Sequence, residues 1–395
     1  MSKEIIDQLY NKYEKTISEY RIHLHEHPEL SWKEYETQKY IINILEQNNI
    51  PYEILADTGV VGHIKGSKPG RTILLRSDMD ALPVTELADV SYKSKNEGVM
   101  HACGHDGHMS SLLGAALILN ELKDQLSGEV KLMFQPAEEL GAGARKMISE
   151  GVLENPKVDI AFGIHVSPVL PAGHIYTKVG GFFSAPNIFA IKIIGKGSHG
   201  ALPHLGIDPI NISSQFISCA QSLITRQMVA TQPVVLSFCK IQGGNSYNVI
   251  PDYVDISGTL RTFSEENRKS MKNKVKLLLE GITSAYGATY ELKWIDEENE
   301  IPAVMNDADA IKFLEQSVNK ILPPNHFHLM DEPAMVGEDF GYITKLVPSA
   351  FMWVGVHKEN TPSYSLHSPH FYYDEKDLLP TSVKLFAQVA LDYLS

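Results

Sequence analysis

What most restricts the fold of this chain is a series of short apolar runs spaced by helical patterns. Thr72 to Leu75, Val130 to Phe134 and Asp159 to Ile164 each have the length of a buried strand, and helical segments such as Ser31 to about Asn49 and Met109 to Leu122 precede or separate them. Alternation of this kind implies an α/β layer built on a substantially parallel sheet.

The middle of the chain reads differently. Asn187 to Ile194 is strand-like, Pro209 to Ile224 helical and Pro233 to Ile241 strand-like. From Tyr253 to Phe263 the residues alternate, Val254, Ile256 and Leu260 opposite Asp255, Ser257, Thr259 and Arg261. Ser264 is placed to cap a helix with Glu265 and Glu266 in its first turn, and Gly287 to end it. Ala288 to Ile295 then sets Tyr290, Leu292 and Trp294 against Glu291 and Lys293. This β-α-β-β-α-β order is that of a ferredoxin-like unit. After about Asp296 the α/β pattern resumes with Ala308 to Ile321, Ala350 to Val354 and Leu378 to Leu394. The expected architecture is a mostly parallel-sheet α/β domain, residues 1–185 and 297–395, interrupted by a ferredoxin-like α+β insertion at 186–296.

The chain has 395 residues, room for two domains at ~100 to 200 residues each. A hydrophobic share of 43% and a charged share of 21% exclude a disordered chain. The net charge of −13, with no Lys/Arg block, argues against nucleic acid or an anionic membrane as a partner. Three cysteines, Cys103, Cys219 and Cys239, fit a reducing compartment better than a disulfide framework. The start has no signal-peptide pattern, and the best apolar run, Leu112 to Leu119, is far short of the ~18 residues of a membrane span. A cytoplasmic location is the expectation.

The densest chemical cluster is His101-Ala-Cys-Gly-His-Asp-Gly-His108, directly before an apolar helix. Thiolate, imidazole and carboxylate together suit a borderline transition metal. The alternative for Cys103 is a plain buried thiol. Gln135-Pro-Ala-Glu-Glu139 follows an apolar strand, at the end of a parallel sheet where ligands bind. Adjacent carboxylates there can divide the labour, one holding metal and one exchanging protons, although acids in the first turn of a helix would look the same. Asp78 and Asp80 follow the first run, His165 ends the third, and His367 and His370 lie after Ala350 to Val354. Jointly these supply enough ligands for two metal ions sharing a water. No HExxH helix, Walker-type loop or GxSxG elbow is present.

With these residues on view, the chain resembles the metal-dependent amidohydrolases that include hippurate hydrolase, the plant indole-acetyl-amino-acid hydrolases, aminoacylase and carboxypeptidase G. The matching segments are HEHPELSWKE (25–34), DMDALP (78–83), HACGHDGH (101–108), FQPAEE (134–139), GIHV (163–166), GSHGALPH (197–204), NVIP (248–251), GTLRT (258–262), GEDF (337–340) and LHSPHF (366–371), in the family's order.

The resemblance implies two divalent ions, zinc, manganese, cobalt or nickel, held by Cys103, His105, Glu139, His165 and His367, with Glu138 as general base and acid. It implies that Asp80 orients a ligand imidazole, that His199 stabilises the oxyanion, and that Asn248, Arg261 and Gly337 help hold the substrate. The insertion would be a lid and dimerisation domain, making the protein a homodimer acting on a small N-acyl amino acid. The residues alone leave plainer readings open: a salt bridge for Arg261, an exposed turn imidazole for His199, a loop cap for Asp80 and a turn residue for Asn248. Rival functions are a di- or tripeptidase of the same architecture, a metal-free hydrolase with Cys103 as nucleophile, and a non-catalytic binding protein.

Overall fold

Along the chain, α1 (Ser2–Glu26) and α2 (Tyr35–Gln47) precede the strands β1 (Tyr52–Leu55), β2 (Gly59–Lys65) and β3 (Lys68–Asp78). Next come α3 (His105–Glu121), β4 (Ser127–Gln135), α4 (Gly143–Ser149), β5 (Ile160–Pro171), β6 (Ile175–Thr177) and β7 (Gly180–Phe183). The middle holds β8 (Ala185–Ile194), β9 (Ser198–His199), α5 (Pro209–Gln227), β10 (Val235–Gln242), β11 (Val249–Ile250), β12 (Tyr253–Thr262), α6 (Glu265–Ala285) and β13 (Thr289–Ile295). The chain finishes with β14 (Val304–Asn306), α7 (Ala308–Ile321), β15 (Phe327–Leu329), α8 (Gly341–Thr344), β16 (Ser349–His357) and α9 (Glu375–Tyr393). The structure, a computed structural model, describes residues 2–295 and 297–395. Asp296, at the predicted end of the insertion, lies outside them.

Two compact units are present. One comprises the chain as far as Phe182, Val304–Pro333 and Glu338–Ser395; the other is Phe183–Ala303 with Ala334–Gly337. The predicted boundaries were 185/186 and 296/297. Ala334–Gly337, expected in the larger domain, belongs to the second unit for a local reason: Ala334 bridges to Phe183, and the Ser184 amide donates to the Val336 carbonyl at 2.8 Å.

In the first unit an eight-stranded sheet runs β1-β2-β4-β3-β5-β16-β6-β15. The three apolar runs of the sequence are β3, β4 and β5, and with β16 they form a parallel centre. The margins are partly antiparallel, since β1 pairs with β2, β2 with β4 and β16 with β6 in that sense. Their turn signal was weak. Between β1 and β2 the left-handed positions are Ala56 and Asp57, at φ of 53° and 61°, where glycine or asparagine usually announces a hairpin.

Alternation along the central strands separates two chemistries. Ile73 and Leu75, Val130, Leu132 and Phe134, and Phe162 and Ile164 join the main apolar core with buried residues of α1, α3, α7 and α9. The intervening residues Arg76 and Asp78, Lys131 and Gln135, and His165 go to the opposite face, and they too are buried. A polar face that excludes water needs partners for every group, and there the site is built.

The second unit is a four-stranded antiparallel sheet in the order β10-β12-β8-β13. Phe189, Ile191, Ile193, Val254, Ile256 and Leu260 on its strands pack with Phe216 and Leu223 of α5 and Met271, Val275 and Leu279 of α6. Both helices start where capping chemistry dictates. Asp208 accepts from the amides of Ile210 and Asn211 with Pro209 at the first helical position, and Ser264 accepts from Asn267. Gly287, at φ 70°, turns the chain out of α6 into β13. Among the described residues no helix is long and apolar enough to cross a membrane.

Candidate metal centre

Three parallel strand ends and the loops after them make the site. Asp78 ends β3, Gln135 ends β4, and β3 and β5 are registered so that Arg76 lies beside Gly163, two residues before His165. His165 therefore sits within β5 rather than at its end as the run Asp159 to Ile164 indicated, because the strand continues to Pro171. Cys103 and His105 flank Gly104, whose φ of 84° turns the chain into α3. A Cβ at Gly104 would lie 2.4 Å from a Val166 methyl, so the close approach of this turn to β5 admits only glycine. Glu138 and Glu139 lie in the turn before α4 rather than in its first helical turn, and Ala137, at φ 50°, sets their direction.

These elements bring together donor atoms of Cys103, His105 and His165, of Cys103, Glu139 and His367, and of His105, Glu138 and Glu139, each trio within 4.8 Å. Cys103 Sγ is 3.3 Å from His165 Nε2, His367 Nε2 is 3.4 Å from Glu139 Oε1, and His105 Nε2 is 4.0 Å from the same oxygen. His367 reaches the cluster from a left-handed backbone at φ 65°, anchored by its amide on the Ala102 carbonyl at 2.8 Å. His370 joins no such group among the described residues and lies beside Tyr364.

The imidazoles are oriented for coordination. His105 Nδ1 donates to the Asp80 carbonyl at 2.8 Å and His165 Nδ1 to the Val166 carbonyl at 2.9 Å, so each turns its Nε2 into the cluster. His105 Nε2 and Glu139 Oε1 are buried without a hydrogen-bond partner. Orphaned buried polar atoms are costly unless something occupies the space between them, and a cation that displaces the imidazole proton satisfies both. Electrostatics agree: burial alone would lower the His105 pKa, but Asp78, Asp80 and Glu139 raise it to about 10. A field that so favours positive charge suits divalent metal equally well. A mixed sulfur, nitrogen and oxygen donor set of this kind fits borderline divalent ions.

The Asp80 carbonyl accepts from His105, and its side chain has further partners. Its carboxylate accepts from the amides of Glu138 and Glu139 at 3.1 and 3.0 Å and from Ser31 at 2.6 Å, holding that turn in place. Burial opposes its ionisation, but the hydrogen bonds it accepts hold its pKa below the usual range. Burial, then the carboxylates of Glu338, Glu139, Asp339 and Asp80, push the Glu138 pKa well above its ordinary value.

Behind the donors lies a network that residue-type reasoning passed over. Arg76 is fully buried and bonds Asp78 at 2.7 Å, Glu338 at 2.8 Å, Asp339 at 3.3 Å and Gln135 at 2.8 Å. His108 donates from Nδ1 to Asp78 at 2.7 Å and accepts the Val166 amide at 2.9 Å. The available signal was a lone arginine at the end of an apolar strand, together with the acids of GEDF, of which only Gly337 was singled out.

In the second unit, β9 pairs with β11, and the Gly200 amide donates to the Asn248 carbonyl at 2.8 Å, bringing His199 and Asn248 into one exposed ribbon. The Ala201 amide donates to His199 Nδ1 at 3.1 Å, which leaves the ring's Nε2–H as an outward donor. Arg261 lies on the partly exposed face of β12, near Gly337, and its Nε donates to Thr259 at 3.2 Å. Among the described residues no carboxylate pairs with it, and burial lowers its pKa.

The pattern of peptidase family M20/M25/M40 matches residues 74–392. The chain belongs to this family. Among its M20 relatives is an N-acetylcysteine deacetylase of Bacillus subtilis, 40% identical over 93% of this chain and 94% of its own. Thermostable carboxypeptidase 2 of Saccharolobus solfataricus is 39% identical over 99% of each chain. The crystal structure of Bacillus subtilis YxeP, a dinuclear metal-binding peptidase of the M20 family, superposes with a TM-score of 0.83 at 36% identity, over 97% of this chain and 99% of its own. The protein is accordingly a metal-dependent hydrolase of amides with an M20 fold, and divalent ions are the cofactor its centre is built for.

Proposed function

We propose that the protein hydrolyses N-acyl amino acids, with Cys103, His105, Glu139, His165 and His367 holding two divalent ions and Glu138 moving the proton. The observation that carries this reading is the convergence of those five side chains beside Glu138, with the Nε2 of His105 and an oxygen of Glu139 buried and unpartnered. When bound, such ions supply Lewis acidity toward a carbonyl and lower the pKa of water. Glu138 takes the proton of the attacking water and returns it to the leaving amine, a role suited to a carboxyl whose pKa its surroundings raise. Asp80 keeps Glu138 aimed by binding its amide.

Substrate class rests on the second unit and on the resemblance. Arg261, half-buried and without a carboxylate partner, is suited to the carboxylate of an amino acid in bidentate fashion. His199 offers an Nε2–H to a developing oxyanion, and Asn248, whose Oδ1 accepts from Ser246, keeps its amide donors for substrate. Gly337 lies beside Arg261, and a Cβ there would press on Pro186 at 2.9 Å. The deacetylase relative acts on an acyl amino acid by its name, which supports the same class for this chain. A homodimer formed through the second unit completes the reading.

The carboxypeptidase relative makes peptidase activity the second reading. One screen separates the two: N-acetyl, N-benzoyl and longer N-acyl amino acids beside dipeptides, using stripped protein with each metal restored. Chelation should abolish hydrolysis, and acyl amino acids should exceed dipeptides in kcat/KM; dipeptide preference would reverse the assignment. The 3.3 Å contact of Cys103 with His165 is also what a thiol–imidazole pair would show. Cys103→Ser should therefore be assayed for bound metal. Reduced occupancy is expected, whereas full occupancy with activity lost would favour the thiol as nucleophile.

A further inference from the structure

The stretch HEHPELSWKE, residues 25–34, carries an acid that neither the metal centre nor the Arg76 network uses. Glu34 stands at the N-cap position of α2, where a carboxylate ordinarily accepts from the first amides of its own helix. Its side chain makes no such bond. Glu29 does that work instead, its Oε2 accepting from the amides of Glu36 and Thr37 at 2.9 and 2.8 Å. The Glu34 side chain is turned to the interior, with no exposed surface and with Asp80 as an acidic neighbour. A carboxyl is costly to bury in such a place, so the bonds it makes there decide what it does. Oε1 accepts the Ala137 amide at 2.9 Å and Oε2 the Thr58 hydroxyl at 2.8 Å. Thr58, itself buried, lies in the turn between β1 and β2.

We propose that Glu34 is a positioning residue for Glu138 and Glu139, an inference that rests on the roles proposed for those two acids. Ala137 is the hinge of their turn. Its φ of 50° is a left-handed conformation that alanine holds only where its surroundings over-determine it. On the carbonyl side the amides of Ala142 and Gly143 donate to the Ala137 oxygen at 3.2 and 3.3 Å. On the amide side the partner is Glu34. Together with the bonds of Asp80 to the next two amides, the successive N–H groups of Ala137, Glu138 and Glu139 all end on two buried carboxylates. Both carboxylates are tied to one short segment, since Ser31 donates to Asp80 and lies in the same loop as Glu34. Removing the Glu34 acceptor leaves a buried N–H unpaired and a strained φ unsupported, and relaxation at Ala137 redirects the two side chains that follow it. A misplacement of about 1 Å costs reacting groups about 10²-fold in rate, and loss of a group that orients metal ligands costs about 10- to 100-fold in affinity or activity.

The test titrates full-length, metal-stripped protein with Zn²⁺, Mn²⁺, Co²⁺ and Ni²⁺ against a chelating dye for affinity, and measures kcat and KM at saturating amounts of the ion that best restores activity. Glu34→Met keeps the length of the side chain but offers the Ala137 amide no acceptor. Its kcat should fall about 10- to 100-fold and its metal affinity about tenfold, with KM within about threefold of wild type. Glu34→Gln supplies an oxygen to Ala137 and an amide donor to Thr58, and should restore most of the lost turnover and affinity. Gln38→Met is the control for a purely structural effect: it deletes the 2.8 Å bond from α2 to the Asp57 carbonyl in the same hairpin turn, and should lower Tm while leaving kcat and metal affinity unchanged. Wild-type kcat and affinity in Glu34→Met would overturn the proposal, as would an equal loss in Gln38→Met or no recovery in Glu34→Gln. Should Glu34→Met not fold, Glu34→Asp, one methylene short of the Ala137 amide, gives the same comparison with the same outcomes. Glu138→Gln run alongside tells the two levels apart: a normal kcat in it removes the role of Glu138 and this proposal together, whereas an inactive Glu138→Gln beside an unaffected Glu34→Met removes only the role of Glu34.

Discussion

On the proposed mechanism Glu138→Gln should lower kcat by about 10²- to 10⁴-fold while the metal content stays at the wild-type level. Glutamine has nearly the shape of glutamate and keeps its backbone amide on Asp80, so the turn and the neighbouring Glu139 are preserved. What it loses is the ability to accept a proton from water and return it to the amine. The carboxyl's raised pKa, caused by burial and by Glu338, Glu139, Asp339 and Asp80, is the property that fits it for both transfers. Steady-state kinetics with metal analysis on the same preparation make the check. A kcat within tenfold of wild type would take Glu138 out of the proton path.

The second large effect is on stability. Arg76→Met should destabilise the chelator-treated protein by about 3–5 kcal/mol, read as a lowered urea midpoint. One guanidinium, with no exposed surface, neutralises a cluster containing Asp78, Glu338 and Asp339. Burial first, then the nearby acids, push Asp339 up to about 8 even with Arg76 present, so the pocket already holds more carboxylates than charge can support. Methionine fills the volume but leaves those acids without their cation and Gln135 Oε1 without its donor. Arg76→Lys should recover part of the loss, since it restores charge but not the fork that spans Asp78 and Glu338. A change below about 1 kcal/mol would mean that the network is hydrated and adds little.

Much of the architecture was readable from local pattern. The runs at 72–75, 130–134 and 159–164 are central strands, Ala308–Ile321 is a helix with those ends, and the alternation from Tyr253 survives residue by residue in the burial of β12. The margins were less readable. The β1–β2 hairpin, for example, turns on Ala56 and Asp57. In such places tertiary packing, not local preference, selects the conformation.

The sequence by itself determined which residue types could bind metal and move protons, since cysteine, histidine and carboxylate chemistry travels with the side chain. It also determined the order of strands and helices, through periodicities set by backbone geometry. Only the tertiary structure decided that Cys103 and His105 meet His165, Glu139 and His367. It alone showed that Arg76 balances acids at both 78 and 338–339. The physical reason is that coordination and burial act over a few ångströms of space. Pattern along the chain specifies neighbours within an element, whereas parallel register and sheet order specify which distant residues share one face.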